Sequence, residues 1–287
     1  MDELLADDGE RCVVSWEMTS GQETIITVAA GLIGTVIVAY ATLRSRKPAN
    51  PFGRRAKLVA TARYHWLEKS IMWAVPGQLG LETQDLIERT NPFQSGDYDA
   101  IESALAKEGG VKINTLIEGT DARSEFSPIQ LVLQGGAGSP VVIREMRARV
   151  VSRQSPISDT LVYGPPQGEQ SVTEIAFDLD SSDPVASRVD ELGLPSTPYF
   201  ASTVLTLEPG ESMTFSLRAY TQACYSSWEI EISAVVGGKA RSLLVRDPEG
   251  SLFVTTAFAQ LYETVYELEF EKNRFVRLPP NSDPPWG

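Results

Sequence analysis

The residues able to do chemistry are few and scattered. His65 is the single histidine, and the two cysteines, Cys12 and Cys224, lie far apart in the chain. A Ser-His-Asp or Cys-His site needs an imidazole against its nucleophile, and none is available within the β-rich stretch that begins near residue 111. A zinc centre needs four nitrogen or sulfur ligands, which one histidine and two separated cysteines do not supply. Cys224, just ahead of a run containing Trp228, is expected to be a buried structural thiol. Asp178, Asp180 and Asp183 place three carboxylates in a short turn that a hard cation such as calcium could use. The turn lacks the glycine and distal glutamate of an EF-hand loop, so a solvated acidic loop is the expected reading and no metal site is assigned. No G-x-x-x-x-G-K-[ST] phosphate loop occurs. No cofactor is implied, and a non-enzymatic role is expected. A hydrolase working through two carboxylates, as in glycoside hydrolysis, is the enzymatic alternative, and it requires two carboxyls converging across a cleft.

The charge pattern is more informative. The net charge is −13, which argues against nucleic acid as a partner. Thr24–Leu43 is a run of 20 residues without a charge, closed by Glu23 and Arg44. At about 1.5 Å per residue this spans a bilayer's hydrocarbon core as one helix. Acidic residues precede it, and the basic cluster Arg44, Arg46, Lys47, Arg54, Arg55 and Lys57 follows. The positive-inside rule then places residues 1–23 outside the cell as an acidic leader and the body of the chain in the cytoplasm, with Tyr40 as an interfacial anchor and the basic cluster against anionic headgroups. Cleavage after Ala39-Tyr40-Ala41 would make the run a secretory signal, but the long acidic leader is unlike a signal's short positive one. Thr27, Gly31, Thr35 and Ala39 recur every fourth residue and form a small-residue stripe suited to close helix packing, hence self-association in the membrane. With Cys12 outside and Cys224 inside, no intramolecular disulfide is expected; Cys12 is expected to be free, with pairing between two chains outside the cell as the alternative.

Residues 44–110 are expected to be a basic linker and a juxtamembrane helical region. Leu58, Val59, Ala62, Trp66 and Trp73 fall on one helical stripe, predicting a helix over residues 56–73; Tyr98, Ile101 and Leu105 predict another over 96–107, stopped by Gly109-Gly110. Arg54-Arg55, the stretch Leu58-Val59-Ala60-Thr61-Ala62-Arg63-Tyr64-His65-Trp66-Leu67-Glu68 and Leu79-Gly80-Leu81 together resemble the helical segment that precedes the nucleotide-binding module of bacterial STAND (NACHT-type) ATPases. The resemblance covers about thirty residues of the 287. It implies a context, that of sensors and effectors in bacterial signalling and defence, often with a membrane helix upstream. With no phosphate loop in the chain, it implies no ATPase activity.

From residue 111 to 257 the period becomes two. Ile129, Leu131 and Leu133; Ile175, Phe177 and Leu179; Met213, Phe215, Leu217 and Ala219; and Trp228, Ile230, Ile232, Ala234 and Val236 each alternate with polar or smaller residues. Four turns separate such runs: Gly135-Gly136-Ala137-Gly138, Glu208-Pro209-Gly210-Glu211, Gly237-Gly238-Lys239 and Asp247-Pro248-Glu249-Gly250. Each is expected to close a hairpin. The fold expected is mainly β: an antiparallel β-sandwich after a transmembrane helix and juxtamembrane helices. Residues 163–170 and 181–197 are expected to be loops and the first candidates for a partner site. Phe258, Leu261, Tyr262, Val265 and Leu268 predict a C-terminal helix capped by Thr255-Thr256, although their aromatic and β-branched content also suits a strand; a proline-rich tail completes residues 258–287.

The function expected is that of a single-pass, membrane-anchored bacterial protein whose cytoplasmic sandwich is an interaction or sensor module, bound to a protein partner or to itself. An envelope structural or assembly protein with an extracytoplasmic sandwich is the alternative.

Overall fold

The computed structural model describes residues 58–66, 70–94, 96–116, 124–136, 138–164, 175–191 and 193–279. The uncharged run expected to cross the membrane, its small-residue stripe and the basic cluster all lie outside them. Among the described residues no helix is long and apolar enough to cross a membrane.

The protein is mainly β. Its first part comprises β1 (Leu58–Tyr64), β2 (Ile71–Val75), α1 (Leu81–Arg89), α2 (Asp97–Lys107), β3 (Val111–Lys112) and β4 (Asn114–Leu116). The middle comprises β5 (Ser124–Gly135), β6 (Val141–Gln154), β7 (Thr160–Gly164), β8 (Ile175–Asp178), β9 (Ser187–Val189) and β10 (Pro195–Pro198). The last part comprises β11 (Leu205–Leu207), β12 (Ser212–Thr221), β13 (Tyr225–Val236), β14 (Lys239–Val245), β15 (Phe253–Thr256), β16 (Thr264–Glu269) and β17 (Arg274–Arg277).

Two sheets share one core. The first runs β1-β5-β12-β8-β9-β10, with β4 also paired to β5; the second runs β11-β6-β13-β14, with β15 also on β13. Ile129, Leu131 and Leu133 of β5 and Phe215, Leu217 and Ala219 of β12 meet Trp228, Ile230 and Ile232 of β13. The period-two alternation therefore puts the expected residues inside. In β6 the buried set is Val141, Ile143, then Met146 and Ala148, a slip of one residue. A register shift there, where Ser233 faces Glu145 and Ala234 faces Ile143, leaves Arg144 as the extra residue of a bulge.

The four turns divide by tertiary context. Gly237 and Gly238, both with positive φ, join β13 to β14 as a two-residue hairpin loop. The other three do not close hairpins. Gly135-Gly138 carries the chain from β5 in the first sheet to β6 in the second, and Glu208-Glu211 carries it back from β11 to β12. These two crossings are stitched together: the Gly135 amide donates to the Glu211 carbonyl at 2.8 Å, and the Gly210 amide donates to the Gly135 carbonyl at 2.9 Å. A Cβ on Gly135 would lie 2.5 Å from the Glu208 carbonyl oxygen, so only glycine admits the approach. The Asp247-Gly250 turn is an excursion within one edge, because β14 and β15 both lie antiparallel to β13, one after the other.

A third layer was absent from the sequence reading. β17-β16-β7-β2-β3 form a separate sheet, assembled from three distant stretches of chain, with β16 and β7 parallel. The helices α1 and α2 pack Ile87, Ile101 and Leu105 onto Ile71, Trp73, Val75, Val162 and Phe275. Met72 and Ala74 on the other face of β2 meet Ile113, Phe258 and Tyr262.

Three expectations are corrected here. Residues 56–73 are not a helix where described: β1 pairs with β5 over seven consecutive residues and β2 is buried on both faces. The segment is too short for apolar spacing to separate the two periods, and strand pairing decides. The helical form implied by the STAND resemblance is thus not taken by residues 58–64. The predicted C-terminal helix is instead β16 and β17, with Thr255 and Thr256 inside β15. Tyr163 belongs to β7, and residues 181–197 contain β9 and part of β10 rather than a plain loop. Helix α2, by contrast, lies where its spacing predicted.

Candidate functional site

Among the described residues, charge or exposed aromatic surface gathers at three places that bear on function. The first is at the junction between the sandwich and the third layer. Tyr98 and Glu102, one helical turn apart on α2, point to Lys112 on β3, whose side chain is only 4% exposed. The Lys112 ammonium donates to the Tyr98 hydroxyl at 2.8 Å, pairs with the Glu102 carboxylate, and lies 5.0 Å from the ring centre of Trp66 and 5.3 Å from that of Tyr98. Burial pulls the Lys112 pKa down while the Glu102 carboxylate opposes it. The Tyr98 hydroxyl donates to the Ser70 carbonyl at 3.1 Å, and burial, reinforced by Glu102, pushes its pKa up. Trp66 leaves the end of β1, so this cation fastens the sandwich to the helices. The arrangement neutralises a buried charge and ties two layers together.

The second is on the outer face of the second sheet. Glu229 is fully buried, yet one carboxylate oxygen accepts from Arg149 Nε at 2.8 Å and the other from Arg246 Nε at 2.6 Å. Both arginines are partly exposed. Along the same face Glu145 pairs with Arg147, and Glu231 accepts from the Ser242 hydroxyl. Each carboxylate is committed to its own cation or hydroxyl, a lattice that holds strands together.

The third is the rim of the helix-covered layer. Phe93, after α1, stacks on Phe270 in the β16–β17 turn with ring centres 6.2 Å apart and planes at 20°. The two rings are 50% and 47% exposed, and Leu81 at the start of α1 is 83% exposed.

The residues singled out in the sequence fall as follows. The main-chain amide of His65, just past β1, donates to the Pro128 carbonyl. Asp178 accepts from the Asp180 amide, Asp180 from the Thr221 hydroxyl and the Gln222 amide, and Asp183 from Arg147. The three carboxylates are thus turned to separate partners, and among the described residues no group of three or more His, Cys, Asp or Glu side chains could hold a metal ion. Cys224 is disulfide-bonded, not the free thiol expected; the one other cysteine in the sequence, Cys12, lies outside the described residues. Thr27, Gly31, Thr35 and Ala39 and the basic residues Arg44, Arg46, Lys47, Arg54, Arg55 and Lys57 also lie outside them.

Sequence reasoning missed Lys112, Glu229, Phe93 and Phe270. The Tyr98–Glu102 spacing was a visible hint, since it puts a hydroxyl and a carboxylate on one helix face. Glu229 gave none, because its outward place in an alternating strand reads as solvated until Arg149 and Arg246 close over it. No protein-family model matches this chain, and no curated protein matches it.

Proposed function

We propose that this chain is a membrane-tethered interaction module, with the Phe93–Phe270 rim as its contact for a protein partner. The observation that carries this reading is the stacked, half-exposed aromatic pair. Aromatic rings presented by rigid elements supply large contact area at small entropic cost, and such residues dominate binding hot spots. The buried charges of the other two sites are neutralised internally, which suits scaffolding and not turnover. The uncharged run Thr24–Leu43 supplies the tether, and the basic residues after it favour a cytoplasmic module.

The test is photocrosslinking of the full-length chain in its native membrane, with the crosslinker at position 93 or 270 and a control at Val151 on the outer face of the second sheet. A discrete partner adduct from the rim alone is expected, and its loss in a Phe93→Ala or Phe270→Ala chain carrying the crosslinker at the other position. Equal labelling from Val151 would sink the reading.

One observation favours a second reading. A disulfide at Cys224 suits an oxidising compartment, and so an envelope structural or assembly protein with the sandwich outside the cell; a bond from Cys224 to the chain's other cysteine, Cys12, would also be incompatible with a membrane span between the two in either orientation. Protease treatment of spheroplasts separates the two, since only an extracytoplasmic sandwich is cut before lysis.

A further inference from the structure

The edges of the three sheets are not treated alike. An unpaired strand edge invites another strand, and proteins blunt such edges with proline, charge, bulges or brevity. Among the described residues, β10 carries Pro195 and Pro198, β14 carries Lys239 and Arg241, β17 carries Arg274 and Arg277, and β3, β4, β11 and β15 have only two, three, three and four residues. β1 carries the least of this protection, one arginine, Arg63, whose guanidinium is turned onto Gln130 of β5. It is seven residues long, pairs with β5 without a register shift, contains no proline or glycine, and bears a single charge at Arg63. Its outward side chains are Val59, Thr61 and Arg63, all exposed, with Val59 at 42%.

We infer that β1 is a dimerisation edge, at which a second copy of this chain adds its own β1 antiparallel and extends the first sheet across a two-fold axis. This goes beyond the rim proposed above and does not rest on it. A two-fold perpendicular to the sheet keeps inward residues on the core side, so paired residue numbers must have an even sum. Full overlap of the seven residues puts Thr61 opposite Thr61 of the second copy, Ala60 opposite Ala62, Val59 opposite Arg63 and Leu58 opposite Tyr64. No like charges meet in that register, and Leu58 and Ala62 stay with the core. The chain outside the structure favours a second copy as the occupant. Residues 1–57 lead directly into Leu58, and only the 14 residues 44–57 separate β1 from the uncharged run and its small-residue stripe. Any pairing of those stripes would hold two β1 strands at high effective concentration.

The test uses the full chain in membranes. In the paired register the two Thr61 Cα atoms lie about 4.5–5.5 Å apart, within disulfide reach. Oxidation of Thr61→Cys is expected to yield a dimer whose tryptic digest contains peptide 58–63 linked to its own copy, while Val151→Cys yields no equivalent product. Thr61→Lys sets two ammonium groups against each other and is expected to weaken the solubilised dimer about fivefold. Mixing Thr61→Lys with Thr61→Glu chains is expected to restore it, which a folding defect would not do. A monomeric wild-type chain, absence of the linked 58–63 peptide, or Thr61→Lys and Thr61→Glu chains that each dimerise as well as wild type would overturn the proposal.

Discussion

Removing either partner of the Lys112–Glu102 pair breaks the same contact, yet the two losses should differ widely. The Lys112 side chain is 4% exposed and that of Glu102 is 24% exposed. Lys112→Met takes away the buried cation and replaces its stem with apolar volume. Glu102 can then turn to water, and the Tyr98 hydroxyl keeps the Ser70 carbonyl, so the cost should stay within about 1 kcal/mol. Glu102→Gln leaves the ammonium buried against the Trp66 and Tyr98 rings with no counter-charge, which should cost about 3 kcal/mol near neutral pH. The pH response has a definite sign. Burial already lowers the Lys112 pKa from 10.5, and loss of Glu102 removes the main opposing influence. Between the lowered folded value and 10.5 the unfolded chain binds more protons than the folded one, so the stability of Glu102→Gln must rise with pH through that window. Urea unfolding of wild type and both variants at pH 7 and about pH 9.5 measures this, the upper value being set just below the ordinary lysine range. A Lys112→Met cost equal to that of Glu102→Gln, or a Glu102→Gln cost unchanged between the two pH values, would refute the reasoning.

Three more outcomes follow from the core and its turns. The Trp228 indole N–H donates to the Thr255 hydroxyl at 3.1 Å, which donates to the Ser127 hydroxyl at 2.9 Å. Thr255→Val orphans the indole and should cost about 2 kcal/mol, whereas Thr255→Ser loses one methyl and should cost about 1 kcal/mol; thermal denaturation ranks them. Gly135→Ala drives a Cβ into the Glu208 carbonyl and should lower stability by about 2 kcal/mol, read as a lower midpoint in denaturant titrations. Burial raises the pKa of Tyr64, Tyr98 and Tyr262 above the ordinary 10.0. Their neutral forms stabilise the fold below pH 10.0 and that contribution is lost above it, so phenolate absorbance from these three should emerge only with alkaline unfolding.

Legibility followed how local each signal was. The alternation in β12 and β13 named the inward residues correctly, because a half-buried strand writes its burial into every second position. The β13–β14 hairpin was equally legible, since Gly237-Gly238 supplies the two positive φ values a tight connection needs. The Gly135-Gly138 turn looked the same in sequence but joins different sheets, and what distinguishes it is a backbone contact with residues 208–211. Leu58 and Ala62 fit a helical stripe as well as a strand face. Their partners on β5, more than sixty residues away, made the choice. The burial of Glu229 likewise waited on Arg149 and Arg246, 80 and 17 residues away in sequence.

By itself the sequence determined a mainly β chain with its sandwich core, one of the two α-helices among the described residues, and a net-acidic body preceded by an uncharged run and a basic cluster. Those are properties of composition and short-range period, which every residue reports through its own type. The tertiary structure alone decided the third layer, the crossing turns and the neutralised charges at Lys112 and Glu229. Each depends on stretches that meet only after folding, and a pairing energy shared between distant segments leaves little mark on either one alone.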